Sequence, residues 1–189
     1  FYRSAGEPAS QQLQATLASG ARLEWLPAET IAHSGCLAES RAVFALEPGA
    51  EMIGWELLAL GAPAAGEAFE LGRFTQHLEI PGTWLEHGTI AAADTRLLQS
   101  PLGLAGRSCT LTMWFGAGSP LDVGRTDALL EAARTCADAP AMANACIGGA
   151  TALHGRVVVL RALAQRVEPA MALARTVRAR WRELGWQMP

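Results

Sequence analysis

The sequence predicts a mainly β protein with two α-helices towards its C-terminal end, α+β overall. Three observations predict it. Apolar and polar residues alternate through the first two-thirds of the chain. Gly and Pro turn signals punctuate that region at short intervals. Apolar spacing of three and four residues is confined to the last third. Period-two alternation gives a strand one buried and one wet face, whereas three-and-four spacing gives a helix an inward stripe.

In chain order, Leu13, Ala15 and Leu17 alternate with polar residues, and Leu23 and Trp25 continue the pattern after Ser19-Gly20. Residues 42–46 read as a strand, Glu47-Pro48-Gly49 as a turn, and 52–60 as the returning strand. Residues 74–80 form a strand ended by Pro81-Gly82, with 84–92 as its hairpin partner. Residues 110–115 are a further strand, rich in β-branched and aromatic side chains. Thr126 or Asp127 caps a helix to about Ala137, with Leu129, Leu130 and Ala133 on its apolar side and Pro140 beyond its end. Residues 153–162 read as one strand, and Pro169 opens a second helix to about Leu184 carrying Met171, Ala174, Val177 and Trp181 inward. The expected organisation is a β-sheet region over 1–117 and a helix-strand-helix region over 118–189 packed on it, with no repeat, low-complexity stretch or linker between them.

Composition narrows the function. Half of the 189 residues are hydrophobic and 17% are charged, which fits a folded chain with a substantial core. A net charge of −3 offers no broad basic surface for nucleic acid. No apolar run reaches the length of a transmembrane helix, so no membrane partner is expected. All fifteen basic residues are arginine, so the chain has neither a Schiff-base lysine nor a phosphate-loop lysine. There is no Gly-x-Ser-x-Gly elbow and no cysteine-protease signature around the four histidines, which disfavours a small hydrolase. Cys36, Cys109, Cys136 and Cys146 form no CxxC pair and sit among small or apolar neighbours, so reduced cysteines are expected.

Three groups of residues carry candidate chemistry. His33 and Cys36 have a ligand-like spacing, as do the adjacent Glu86 and His87, although neighbours on a strand point to opposite faces. Isolated pairs fall short of a four-ligand structural zinc site, while imidazole, thiolate and carboxylate all suit a borderline divalent ion. Glu56 lies within the apolar run Ile53-Gly54-Trp55-Glu56-Leu57-Leu58 and must reach solvent, an arginine or a polar channel. Arg175, Arg178 and Arg182 form a basic stripe on the second helix, either solvated or available to a protein partner.

Several segments together resemble the UreD (UreH) family of urease accessory proteins. Phe1-Tyr2-Arg3-Ser4 followed by Gln11-Gln12-Leu13 is similar to an early family segment. Leu23-Glu24-Trp25-Leu26-Pro27-Ala28-Glu29-Thr30-Ile31 is similar to its Leu-Glu-Trp-Leu-Pro-Gln-Glu stretch, with Ala28 in place of glutamine. Gly54-Trp55-Glu56-Leu57-Leu58-Ala59-Leu60-Gly61-Ala62-Pro63 resembles its Trp-Glu…Leu-Gly-Arg-Pro stretch, with Ala62 in place of arginine, and Gly66-Glu67-Ala68-Phe69 and Gly72 complete that block. Val158-Val159-Leu160-Arg161-Ala162-Leu163 is similar to the family's strand before the final helix. The family's Gly-Gly-Asp-containing N-terminal stretch and its Pro-Arg-Ile-Trp-like ending are not seen, as expected of a truncated chain.

The resemblance implies a helically wound, antiparallel-rich sheet with two helices. It implies a non-enzymatic, cytoplasmic urease maturation scaffold that bridges apo-urease subunits to the UreF adaptor and the UreG GTPase and assists nickel insertion. No tightly bound cofactor is implied, only nickel in transit. Carried over by position, Glu56 and Glu86 correspond to acidic residues of a polar tunnel, with His87 as a neighbour. The alternative is a metal-handling module that itself binds nickel or zinc through His33, Cys36 or His87.

Overall fold

The computed structural model describes Ser4 and residues 6–188; Phe1, Tyr2 and Arg3 of the first family-like segment lie outside the described residues, as does Pro189. Among the described residues, ten strands fall into two sheets. The first sheet comprises β1 (Ala9–Leu17), β4 (Cys36–Leu46), β6 (Gly72–Ile80) and β7 (Trp84–Ala91), in the order β1-β4-β6-β7. The second comprises β2 (Arg22–Trp25), β3 (Thr30–Ala32), β5 (Glu51–Leu60), β8 (Cys109–Ala117), β9 (Cys146–Leu153) and β10 (Val157–Ala164); its order is β2-β5-β8-β10-β9, with β3 also on β5.

The winding comes from turns that move the chain between sheets. Residues 47–49 do not close a hairpin, as the apolar runs on either side led us to expect. They carry the chain from β4 in one sheet to β5 in the other. Ser19-Gly20 does the same one coil earlier, and the two coils stack in parallel: Leu17 lies beside Leu46 and Arg22 beside Glu51, the same 29-residue step. Gly20 and Gly49 both take positive φ (73° and 80°), the left-handed conformation this corner requires. Ser19 ties the corners together, its N–H bonding Glu47 Oε2 at 3.0 Å and its hydroxyl the Pro48 carbonyl at 2.7 Å. β6 then stacks in parallel on β4, and β7 returns antiparallel as the expected hairpin. In the second sheet β5, β8, β10 and β9 run antiparallel to their neighbours. Both sheets are therefore mixed.

The long helices are α2 (Val123–Ala137) and α3 (Val167–Trp186). α2 starts earlier than the sequence indicates. Asp122, not Thr126 or Asp127, is its N-cap, with its carboxylate accepting from the Arg125 N–H at 2.8 Å. α3 begins two residues before Pro169, which sits in the first turn, where a missing N–H costs nothing. A short helix, α1 (Thr95–Gln99), capped by Asp94, went unforeseen. So did β9: Cys-Ile-Gly-Gly-Ala-Thr-Ala-Leu has little intrinsic strand preference, and pairing with β10 along its whole length supplies what propensity lacks. The segment between the long helices is therefore a hairpin, not a single strand. No helix among the described residues is long and apolar enough to cross a membrane.

The second sheet is the middle layer. Its Ile53, Leu57, Leu111, Met113, Phe115, Val158 and Leu160 face α2 and α3, which contribute Leu129, Ala133, Leu173, Val177 and Trp181. Its opposite face meets the first sheet in two apolar clusters. One joins Met52, Trp114 and Val159 to Phe44, Leu78, Ile80 and Trp84. The other joins Leu58 and Leu60 to Cys36, Ala38 and Phe74.

Candidate functional site

Between those two clusters, where both sheets turn inward, lies a layer of polar side chains. Register aligns it. Glu56 on β5 sits opposite Thr112 on β8, and Thr112 opposite Arg161 on β10. On the facing sheet Gln11, Ser40 and Gln76 occupy one cross-strand row that ends at Gly88. Ser40 and Gln76 are each the polar member of an otherwise apolar inward series: Ala38, Ser40 and Ala42 on β4, and Phe74, Gln76 and Leu78 on β6.

Glu56 is 4% exposed. Ser40 Oγ donates to its Oε1 at 3.1 Å, and Gln76 Nε2 donates a short hydrogen bond to Oε2. Burial pushes the Glu56 carboxyl above the usual range; the bonds from Gln76 and Ser40 pull the other way, and the nearby Glu86 charge adds to the upward push. Glu86 on β7 accepts from Thr112 Oγ1 at 2.7 Å on one oxygen and from Arg161 Nε and Nη2 at 2.9 and 2.5 Å on the other. No buried side-chain nitrogen or oxygen among the described residues lacks a hydrogen-bond partner. The layer thus holds two neighbouring hydrogen-bonded sets, Ser40–Glu56–Gln76 and Thr112–Glu86–Arg161.

A cleft of about 320 Å³ opens onto this layer. Gln76, Glu86, Thr112 and Arg161 give it a polar floor, with Ile90, Leu97, Leu104 and Leu163 among its apolar walls. Gln76 is the link inward, since it lines the cleft and also bonds Glu56. Glu56 and Glu86 therefore lie in the same polar layer, near enough for the Glu86 charge to act on Glu56, with Glu86 lining the cleft and Glu56 behind Gln76.

His87 lies on the other face of β7, the alternation expected for neighbours on a strand. It stands opposite His77 on β6, ring centroids 5.3 Å apart and edge-on. His77 Nε2 contacts Glu79 Oε2 at 2.7 Å, and Arg41 Nη2 reaches the same oxygen at 3.2 Å. The hydrogen bond with His77 is foremost in holding the Glu79 carboxyl below its ordinary range.

His33 and Cys36 are not brought together as ligands. His33 Nδ1 faces Glu67 at 3.3 Å, whereas Cys36 is fully buried, its thiol donating to the Arg73 carbonyl at 3.4 Å. Burial pushes that thiol up, away from the thiolate a metal requires. All four cysteines are free thiols. Among the described residues, no three His, Cys, Asp or Glu side chains converge on a metal-holding position.

The basic stripe of α3 divides. Arg178 grips both oxygens of Glu24 on β2, Nε to Oε1 at 2.8 Å and Nη2 to Oε2 at 2.6 Å, and Arg182 Nη1 adds a bond at 2.8 Å. Arg175 stays exposed. Two members of the stripe thus clamp the helix to the second sheet.

Gln76, Ser40, Thr112 and Arg161 escaped the sequence reading. Their signal is an isolated polar residue at an inward position of a strand, which becomes a layer only once the register between strands is known.

The whole chain, residues 1–189, matches the family model described as UreD urease accessory protein. The chain is 53% identical over 189 residues to the urease accessory protein UreD of Variovorax paradoxus (strain S110), covering all of this chain and 68% of that protein. It is 52% identical over 188 residues to the UreD of Leptothrix cholodnii (strain ATCC 51168 / LMG 8142 / SP-6), covering 67% of it. It is 53% identical over 188 residues to the UreD of Verminephrobacter eiseniae (strain EF01-2), again covering 67%. With the family model matched from end to end and half of the residues shared with such relatives, the chain belongs to the UreD family of urease accessory proteins.

Proposed function

We propose that this chain is a non-catalytic urease maturation scaffold, acting in the cytoplasm, that bridges apo-urease to the UreF–UreG complex and gives nickel a path through its polar layer. The observation that carries this reading is the polar layer, Glu56 with Gln76 and Glu86 with Thr112, set between two apolar clusters. Polar groups in an apolar core cost stability relative to well-packed hydrophobic residues, so a whole layer of them calls for a use. Carboxylates spaced along a wet path hold a hard or borderline divalent cation weakly at each step, which suits transit. Arg161 occupies the place a cation would take at Glu86, and being half-exposed it can swing into the cleft to admit one. Arg175, the exposed member of the α3 stripe, is the one available to a protein partner. The lysine-free sequence supports leaving nucleotide hydrolysis to UreG.

Affinity purification of the full-length protein from urease-positive cells tests the scaffold. Recovery of UreF and urease subunits is expected. Recovery of neither, with the bait folded and abundant, contradicts it.

A further inference from the structure

We propose that His77 and His87 form a second, external divalent-metal site on the outer face of the first sheet, separate from the carboxylate layer. The two residues are directly opposed in the β6–β7 ladder, which brings their Cβ atoms to roughly 4.5–5.5 Å. Their rings meet edge-on with centroids 5.3 Å apart. Opposed imidazoles at this spacing can each direct one nitrogen at a shared ion with bonds of about 2.0–2.1 Å.

The surroundings complete the case. Glu79 accepts a hydrogen bond from His77 Nε2 at 2.7 Å. The carboxylate accepts, so Nε2 is the donor in this contact and the neutral form of the ring keeps its lone pair on Nδ1. This is the arrangement in which a carboxylate fixes the tautomer and orientation of a metal-ligating histidine. Arg41 binds the same Glu79 oxygen, so its positive charge is offset by that carboxylate. His87 is exposed and has no hydrogen-bond partner among the described residues, so its ring can turn towards an ion. The flanking outward pairs are Thr75–Thr89 and Glu79–Leu85, which leave the two histidines as the available nitrogen donors on this face.

Two imidazoles with water in the remaining positions select borderline ions such as nickel, copper and zinc over calcium or magnesium. Such a site binds reversibly. Glu86 and His87 are adjacent on β7, with their side chains on opposite faces of the strand. An ion captured outside would thus be one residue from the inner layer. The inference rests on the proposed function only for the choice of nickel.

Equilibrium dialysis of the intact protein against nickel, with pulsed EPR of the copper-loaded form, tests it. Wild type is expected to bind one ion at this face, with two imidazole nitrogens coupled to copper. His77→Ala and His87→Ala are each expected to weaken binding about tenfold or more and leave one coupled nitrogen, and Glu79→Gln to weaken it about tenfold. A Glu56→Gln plus Glu86→Gln variant should retain the two-nitrogen signal. Binding unchanged in a folded His77→Ala plus His87→Ala variant overturns the external site. If that binding instead disappears only in the carboxylate variant, the ion sits in the inner layer; the external site then fails while the proposed path stands.

Discussion

Arg161 and Glu86 meet across the mouth of the polar layer, with Nε and Nη2 of the arginine both on Oε2 of the carboxylate. The other oxygen belongs to Thr112. The layer is therefore shut on the cleft side by a side chain that is half in solvent, while its inner carboxylate is held by two neutral donors, buried Ser40 and Gln76 at the cleft.

That exposure makes Arg161 energetically dispensable. Exposed ion pairs contribute about 0–1 kcal/mol. Arg161→Gln is expected to shift the urea-unfolding free energy by no more than about 1 kcal/mol. A loss of 3 kcal/mol or more would mean that Glu86 depends on Arg161 as a buried charge does, and that the mouth cannot open readily.

Glu56 carries a pH signature. Its folded-state carboxyl titrates above the ordinary 4.5. Between that value and the raised one the folded protein holds a proton the unfolded chain has lost, so this group's contribution falls as pH rises through the window. Glu56→Gln keeps the shape and removes the titration. Wild type should gain stability relative to the variant as pH drops from 7 towards 4.5, and at pH 7 the variant should be at least as stable. Paired urea titrations across that range check both. A wild-type advantage that grows with rising pH would contradict the assigned burial.

Glu24 behaves in the opposite sense. Burial alone would raise its carboxyl, but the hydrogen bonds and charges of Arg178 and Arg182 outweigh burial and hold it below the usual 4.5. Its contribution is complete above 4.5 and is lost as pH falls through the lowered value. Glu24→Gln should cost about 1–3 kcal/mol at pH 7, because hydrogen bonds to charged partners are being weakened, and less at pH 3. Thermal unfolding at the two pH values measures the difference.

Gly54 stands against the indole of Trp114, so close that a Cβ at position 54 would collide with its six-membered ring. Trp114 is fully buried and packs on Trp25, Phe44 and Trp84. Gly54→Ala should destabilise by about 1–3 kcal/mol through overpacking. Trp114→Ala should cost about 3–5 kcal/mol through loss of a large core side chain. A neutral Gly54→Ala would show that the indole can shift within its cluster.

Much of this structure was legible in the residues because local signals coincided with tertiary demands. The β6–β7 hairpin had alternation on both strands and Pro81-Gly82 between them. α3 carried its inward residues at helical spacing, and Trp181 and Val177 are buried as that spacing requires. The turn at Pro48-Gly49 was visible but its direction was not: a corner that passes the chain to another sheet looks locally like one that returns it to the same sheet. β9 was hidden because its glycines and alanines are held in place by β10. In the site, Glu56 stood out as an acid in an apolar strand and Glu86 came from its pairing with His87 and the family resemblance, whereas their partners became recognisable only through register. Arg178 and Arg182 looked like a surface stripe because Glu24 lies more than 150 residues away in sequence.

The central claim is that the polar layer conducts nickel. Its most direct test is urease activation in the host with Glu56→Gln and Glu86→Gln combined in the full-length gene. These changes keep size and hydrogen bonding while removing both charges. The account predicts that the variant protein still co-purifies with its maturation partners while most urease activation is lost, and that raising nickel in the medium partly restores it. Full activation at limiting nickel, with the complex intact, would contradict the path through this layer.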